Sequence, residues 1–513
     1  MSVEPKKKRR GLAANSLFSV IAWLFPILLG FIATPILVRG LGSEQYGLFA
    51  IVLGFISYSF TFGVGKVVGK YVPELQASGE SEKVTEVISA TFWFSLLVGV
   101  IGSVALVLTA HLIVERLLLI SPENQQTAVN SLYLAAGIGV ALMLSQVFQF
   151  VLQGLHRFDN YVTITNLTGL LLGVGNIVLA LNGFGVEALL IWNLGVVVLT
   201  GVVFFVRAKH LLPSIALSKS ASRSIWTSVI RYAGNIILYQ IFANVLFIFE
   251  RSWVMRKFGA AALTFYFVPM LLAIYMHGFV ASIVQAVFPV VNELLEDRQQ
   301  VLDLYKRANK LILAIVVFTV TNFIACGSLF LHLWVSQELA SASYHLLVFH
   351  GLTFGVIAVG IMAFQLAEVF KFPALNVIMT GSWMLLAIPL MIVAAEYWQS
   401  EGVAAARLVA ALVTFPIVAY TERRFLGNIQ WRFWIAVGFR IGIAAASMAV
   451  VEWLILRSTG DSYVSLFAAG GAGTIVFGAM LVATGFFTRD DREMIRRNLD
   501  FRKRFVESAK VIE

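Results

Sequence analysis

Cysteine is almost missing from this chain: Cys326 is the single one in 513 residues. One thiol cannot make an intramolecular disulfide, a thiolate metal cluster or a Cys-x-x-Cys redox pair, so those chemistries are excluded. Charge is scarce as well. Asp, Glu, Lys and Arg together supply 13% of residues, about half the share that a soluble domain carries. A solvated surface cannot be built from so few ionisable side chains, which excludes a soluble enzyme and a disordered scaffold. Acidic residues are the scarcer sign, 28 against 38 basic, for a net charge of +10. In a soluble protein that excess would suggest nucleic acid. Here no nucleic-acid partner is expected, and the excess instead bears on membrane orientation.

Apolar residues make up 59% of the chain, and they come in runs. A membrane helix needs about 20 mainly apolar residues, and fourteen such runs are present. They cover 12–38, 48–68, 87–111, 128–153, 162–181, 188–206, 232–254, 264–289, 311–335, 345–369, 373–395, 403–421, 434–456 and 464–487. With the N-terminus placed in the cytoplasm, 29 basic residues fall in inside segments and 5 outside. The positive-inside rule therefore puts both termini in the cytoplasm of a multi-pass cell-membrane protein. Lys6–Arg10 reads as a charge anchor for the first span, whose apolar run is too long for a cleaved signal. The stretch 112–119 could form an interfacial helix, and Lys371-Phe372-Pro373 a short hinge.

The longest internal connection, 207–231, is basic and Ser-rich and divides the chain near its middle. A weak internal echo agrees with that division. Gly42 follows Arg39 after the first span as Gly259 follows Arg256 after the seventh, an offset of 217. Pro73 and Pro289 lie 216 apart, and Val84 and Val301 again 217. Parallel six-helix repeats are a recurring transporter plan. The expected organisation is an N-terminal lobe over 1–206, a cytoplasmic linker at 207–231 and a second lobe over 232–421. A further helix pair follows at 422–488, then a basic amphipathic tail at 489–513 lying on anionic lipid. The fold class is thus an all-α polytopic membrane protein with two pseudo-symmetric six-helix lobes plus a C-terminal helix pair.

Catalytic motifs are lacking. Gly65-Lys66-Val67-Val68-Gly69-Lys70-Tyr71 imitates a phosphate loop, but Val64 stands where its first Gly belongs and Tyr71 where Ser or Thr belongs. No metalloprotease helix, nucleophile elbow or carboxylate pair at catalytic spacing occurs. No enzyme activity, cofactor or metal is expected.

Ionisable residues inside spans are then the functional candidates. Lys66 and Glu368 lie in the last turn of their spans, Glu452 about a turn from an outer end, and Arg407 and Arg440 a turn or two inside. All five are within snorkelling reach of water. Glu250-Arg251, in the outer third of the seventh span, are harder to dismiss. Arg251, Asn244 and Gln240 share one helical stripe, with Glu250 turned about 100° away. That stripe suits a water-filled cavity or helix–helix hydrogen bonding equally. Near the midplane, His277 is the choice for a protonatable group coupling transport to an ion, because His titrates near neutral pH. Asn176 and Asn322 share that depth.

The segment Val38-Arg39-Gly40-Leu41-Gly42-Ser43-Glu44-Gln45-Tyr46-Gly47-Leu48-Phe49 resembles the first-loop signature of the polysaccharide-transporter (O-antigen flippase) family. That family lies within the multidrug/oligosaccharidyl-lipid/polysaccharide export superfamily. Asn15, Gly63, the polar segment 74–87 and Gly402-Val403-Ala404-Ala405-Ala406 fit the same pattern. The resemblance implies two six-helix bundles and two extra helices around a central cavity. It implies a flippase moving a polyprenyl-diphosphate-linked oligosaccharide between leaflets by alternating access without ATP, with H+ or Na+ as a coupling ion and glycosyltransferases or a polymerase as partners. Arg251, Lys66, Arg407 and Arg440 are the cations available for the diphosphate. Peptidoglycan-precursor flippases of the superfamily carry arginines in the first span, whereas no charge occurs here between Arg10 and Arg39. A cation-coupled exporter of small amphipathic compounds, and a non-transporting scaffold for glycan-assembly enzymes, are the rival readings.

Overall fold

The computed structural model describes residues 12–60, 63–218, 221–293, 297–370, 372 and 374–488. The anchor at Lys6–Arg10, the tail over 489–513 and two members of the expected hinge, Lys371 and Pro373, lie outside the described residues.

Among the described residues all regular structure is helical. The chain runs through α1 (Leu12–Ser59), α2 (Lys66–Ala77), α3 (Ser81–Leu112), α4 (Pro122–Gly154), α5 (Phe158–Leu181) and α6 (Val186–Leu211). It continues through α7 (Arg223–Glu293), α8 (Arg298–Ala325), α9 (Gly327–Trp334) and α10 (Gln337–Val369). The last elements are α11 (Ala374–Ala411), α12 (Thr414–Thr421), α13 (Trp431–Thr459) and α14 (Tyr463–Ala483). Among the described residues, eleven continuous segments are long and apolar enough to cross a membrane. Three of them, in α1, α7 and α11, carry an internal break. Divided there, they match the fourteen spans expected. At 1.5 Å per residue an unbroken α7 would be about 106 Å long, over three times a bilayer core of about 30 Å. The break is what lets one helical run serve two crossings.

Two of the breaks are glycines in one conformation: Gly42 at φ 80°, ψ 161° and Gly259 at φ 86°, ψ 178°. That region is essentially closed to any residue with a Cβ. These are the two glycines that the 217-residue offset relates. Their neighbourhoods also meet. A Cβ on Gly47 would fall 1.9 Å from the carbonyl oxygen of Ala260, and the Thr264 hydroxyl donates to the carbonyl of Ser43. Tyr46 is buried beside them. The first-loop signature is therefore a packing device.

Local departures from the expected spans have identifiable causes. The second span was expected over 48–68, but α1 stops at Ser59 and a new helix begins at Lys66, with Gly63 at φ 68° in between. The stretch at 112–119 continues α3 as a short π-helical turn over Ile113–Leu117 rather than a separate interfacial helix. Asp297 caps α8 by accepting from the backbone N–H groups of Gln299 and Gln300. Those bonds, Gln300 first, hold its carboxyl below the ordinary carboxylate range.

The packing divides into two compact units. One comprises the chain through Leu271 together with Thr380–Ala410, and the other comprises Leu272–Met379 with the chain from Ala411. In the first, α4 packs on α6 and α3, and α1 on α5. In the second, α13 packs on α14 and α8, while α10 packs on α8, α9 and α12. Large apolar side chains such as Leu108 and Val464, both 78% exposed, and Phe467 at 75% cover the outside. Exposed apolar patches on this scale suit a lipid solvent. In the second unit Glu422 is fully buried, yet its carboxylate is satisfied. It accepts from the Tyr305 hydroxyl at 2.9 Å, the Trp434 indole at 2.7 Å and the Gln430 backbone N–H at 2.8 Å. One side chain thus ties α8 and α13 to the turn that follows α12.

Candidate functional site

Glu250 and Arg251 are neighbours on α7, so their side chains leave the helix about 100° apart and meet different surroundings. Glu250 is fully buried. One carboxylate oxygen accepts from the Tyr266 hydroxyl, the other from Nη1 of Arg407, both closely. Arg407 is itself fully buried on α11. Its guanidinium carbon lies 4.8 Å from the ring centre of Phe247 and 5.4 Å from that of Trp383, and Nη1 stands 3.8 Å from the sulfur of Met270. Aromatic faces offset part of the desolvation of a buried cation.

Arg251 is 5% exposed. Its Nη2 donates to the Tyr58 hydroxyl at 3.3 Å, and its guanidinium lies over the Phe267 ring at 4.1 Å and the Tyr58 ring at 4.9 Å. Asn244 holds the same neighbour by donating to the Tyr58 carbonyl at 2.9 Å. Tyr58 stacks on Phe247, 5.2 Å between centroids, which links the surroundings of the two arginines. Gly54 makes room, since a Cβ there would sit 2.8 Å from Nη1 of Arg251. The Nε of Arg251 is buried with no hydrogen-bond partner among the described residues.

The ion pairing decides what this cluster can do. Among the described residues Glu250 pairs with Arg407, while Arg251 has no carboxylate within ion-pair distance, in surroundings made of aromatic and aliphatic groups. A buried charge without a counter-ion is costly. An arrangement with an excess cation and an unused N–H donor is suited to receive an anion.

Four of the sequence candidates converge here: Glu250, Arg251, Asn244 and Arg407. Arg407, expected within snorkelling reach of water, is instead fully buried against a carboxylate and aromatic rings. Glu452 departs from the same expectation. It is fully buried between α13 and α14, with Gly473 giving it room. Of the other candidates, Gln240 and Lys66 belong to the first unit, and Arg440 and His277 to the second. Gln240 is half-buried, two turns and more before Glu250. Lys66 is exposed at the start of α2, its stem folded over Gly63. Arg440, in the second unit, donates to the carbonyl of Gly485 at 3.1 Å and so caps the end of α14. His277, also in the second unit, lies 5.8 Å from the ring of Phe354. Sequence reasoning missed Tyr58, Tyr266 and Gly54. The hydroxyls carried no signal among 14 tyrosines, and Gly54 is recognisable only once the guanidinium beside it is placed.

Comparison with known proteins bears on the fold and the family. A family model described as Polysaccharide biosynthesis protein matches residues 36–344. A putative O-antigen transporter of Shigella flexneri is 21% identical over 351 residues, 65% of this chain and 79% of that protein. Among solved structures, the lipid II flippase MurJ in an inward closed conformation superposes with TM-score 0.72 at 15% identity, covering 92% of this chain and 99% of that one. An inward-facing multidrug resistance MATE transporter of the MOP superfamily gives 0.64 at 18% identity, covering 80% and 98%. At these identities the two structures share a fold with this chain. Their cargoes are their own.

Proposed function

Because this chain belongs to the polysaccharide biosynthesis protein family, a family of transporters and not of enzymes, we propose that it is a flippase. Its cargo is a polyprenyl-diphosphate-linked oligosaccharide, passed from the inner to the outer leaflet by alternating access without ATP. The observation that carries this reading is the buried cluster of Glu250, Arg251 and Arg407, with its surplus positive charge inside a transporter fold.

The chemistry follows from what each part of the cargo needs. The oligosaccharide is too polar for the bilayer interior and requires a hydrated path, whereas the lipid tail is soluble in the bilayer and can stay there. The diphosphate is the costly part, since an anion at the bilayer centre costs several kcal/mol (about 3 on insertion scales) unless a cation meets it. Arg251 offers a fixed cation and an unused N–H. A phosphate oxygen arriving there also competes with Glu250 for Arg407. Binding the cargo would therefore exchange one buried ion pair for another, and that exchange links cargo occupancy to the packing of α7 against α11. The two lobes expected from the sequence, 1–206 and 232–421, are the proposed moving parts, and His277 the proposed protonation site for ion coupling. Both termini are placed on the cytoplasmic side.

The test is reconstitution in liposomes loaded with a polyprenyl-diphosphate oligosaccharide, scoring transfer to the outer leaflet with and without an ion gradient. Transfer that depends on the protein supports the reading. Efflux of amphipathic dyes with no transfer of the lipid-linked glycan would replace it with the exporter alternative. Intact surface glycan in cells carrying a folded variant neutralised at Arg251, Arg407 and Arg440 would favour the scaffold.

A further inference from the structure

A second cationic feature lies away from the buried cluster, where α2 meets the start of α7. The cleft there encloses about 430 Å³ and is lined by Lys70, Arg231, Tyr71, Tyr232 and the hydroxyl residues Ser224, Thr227 and Ser228. This volume falls in the range of sites that hold a small-molecule headgroup. Among the described residues no acidic side chain lines it. Among the described residues neither Lys70 nor Arg231 has a carboxylate within ion-pair distance. Lys70 is nonetheless held in place. Its ammonium lies 4.6 Å from the ring centre of Tyr232 and 4.8 Å from that of Tyr71, and the two rings meet edge to face at 6.1 Å. A lysine positioned by aromatic faces has its charge unneutralised and can still offer N–H donors to a ligand.

The hydroxyls are unequal. Thr227 and Ser228 donate back to the carbonyls of Arg223 and Ser224 on their own helix, so they contribute polarity rather than donors. Anion recognition falls to the Lys70 ammonium and the Arg231 guanidinium, a point charge and a planar fork lining one cleft. Two cations with no acid match a group carrying more than one negative charge. An aromatic wall beside them suits the apolar face of a sugar ring.

We propose that this cleft is a docking site for the diphosphate and first sugar of a lipid-linked glycan, occupied before the headgroup reaches the buried arginines. It rests on the transport reading above and adds an entry subsite to it. The ligand chemistry is a phosphoryl anion. A membrane phospholipid or free pyrophosphate could also supply one, and the lipid-linked glycan is the source that uses both the cations and the rings.

The experiment measures binding of a polyprenyl-diphosphate monosaccharide to the full chain in nanodiscs of zwitterionic lipid. Wild type is compared with Lys70→Gln, Arg231→Gln, the double variant and Lys83→Gln as a surface-charge control. All of these side chains are exposed, so folding is checked simply by elution profile and helicity. Each single substitution at the cleft is expected to weaken binding about tenfold, as for loss of one charge-assisted contact, with Lys83→Gln unchanged. Competition distinguishes the sources. Inorganic pyrophosphate should compete weakly, and nanodiscs rich in phosphatidylglycerol should leave the affinity within about threefold. Equal displacement by phosphatidylglycerol would make the cleft a general lipid contact and overturn the proposal, as would unchanged binding by the double variant. If wild type itself neither binds nor transfers the probe, the transport reading fails. If wild type and the double variant bind and transfer it alike, the docking site alone fails.

Discussion

At the residue scale, the pair of Glu250 and Arg407 is a buried ion pair whose halves lie 157 residues apart in sequence. Removing one half strands the other. Arg407→Met leaves Glu250 buried with Tyr266 as its remaining donor, and a loss of about 3–5 kcal/mol is expected. The double variant Arg407→Met/Glu250→Gln should recover at least half of that loss, read as midpoints of thermal unfolding in detergent. Gly54 offers a finer probe. Gly54→Ala places a methyl 2.8 Å from Nη1 of Arg251, too close for both to stay. The flexible end of the arginine can yield, so the unfolding midpoint should move by less than about 3 °C, a surface-like effect, while leaflet transfer falls several-fold because the guanidinium is displaced. Sequence reading reached Glu250 and Arg251 because two adjacent charges in an apolar run are conspicuous. It misjudged Arg407, because depth along a helix says how far a side chain is from water but not what stands beside it. The aromatic cage of Phe247, Phe267 and Trp383 was equally invisible in a chain with 41 phenylalanines and 11 tryptophans.

At the scale of elements, the breaks in α1 and α7 depend on two glycines whose backbone no other residue adopts comfortably. Gly42→Ala and Gly259→Ala should each cost about 1–3 kcal/mol, lowering the yield of folded protein while the neighbouring Ser43→Ala does not. The 217-residue offset made these positions legible in advance, since a glycine after a basic residue at the end of a span is a local signature. By contrast, the end of α1 at Ser59 was illegible. The apolar run continues past it, and the chain leaves the helix near Gly63 for reasons of backbone conformation rather than polarity. Glu422 supports a further test. Its carboxylate satisfies three donors from Tyr305, Trp434 and Gln430. Glu422→Ala should destabilise the second unit by about 2–4 kcal/mol through unpaired buried donors, whereas Glu422→Gln, which keeps an acceptor, should cost less. Differential hydrogen exchange in α8 and α13 would localise the effect.

At the scale of the whole molecule, the scarcity of charge, the runs of apolar residues and the first-loop signature were enough to specify an all-helical membrane transporter. The fold is shared with flippases and multidrug transporters of the MOP superfamily. Composition could not say which buried charges converge, because that depends on how distant helices are brought together. The present reading turns on a surplus guanidinium held inside the protein for an anionic headgroup. The most direct measurement is the rate of leaflet transfer of a polyprenyl-diphosphate oligosaccharide in proteoliposomes, comparing wild type, Arg251→Lys and Arg251→Gln at equal folded protein. Transfer should fall at least about tenfold for Arg251→Gln, as for loss of a charged hydrogen-bond partner, with Arg251→Lys in between. Wild-type rates in Arg251→Gln would contradict the account.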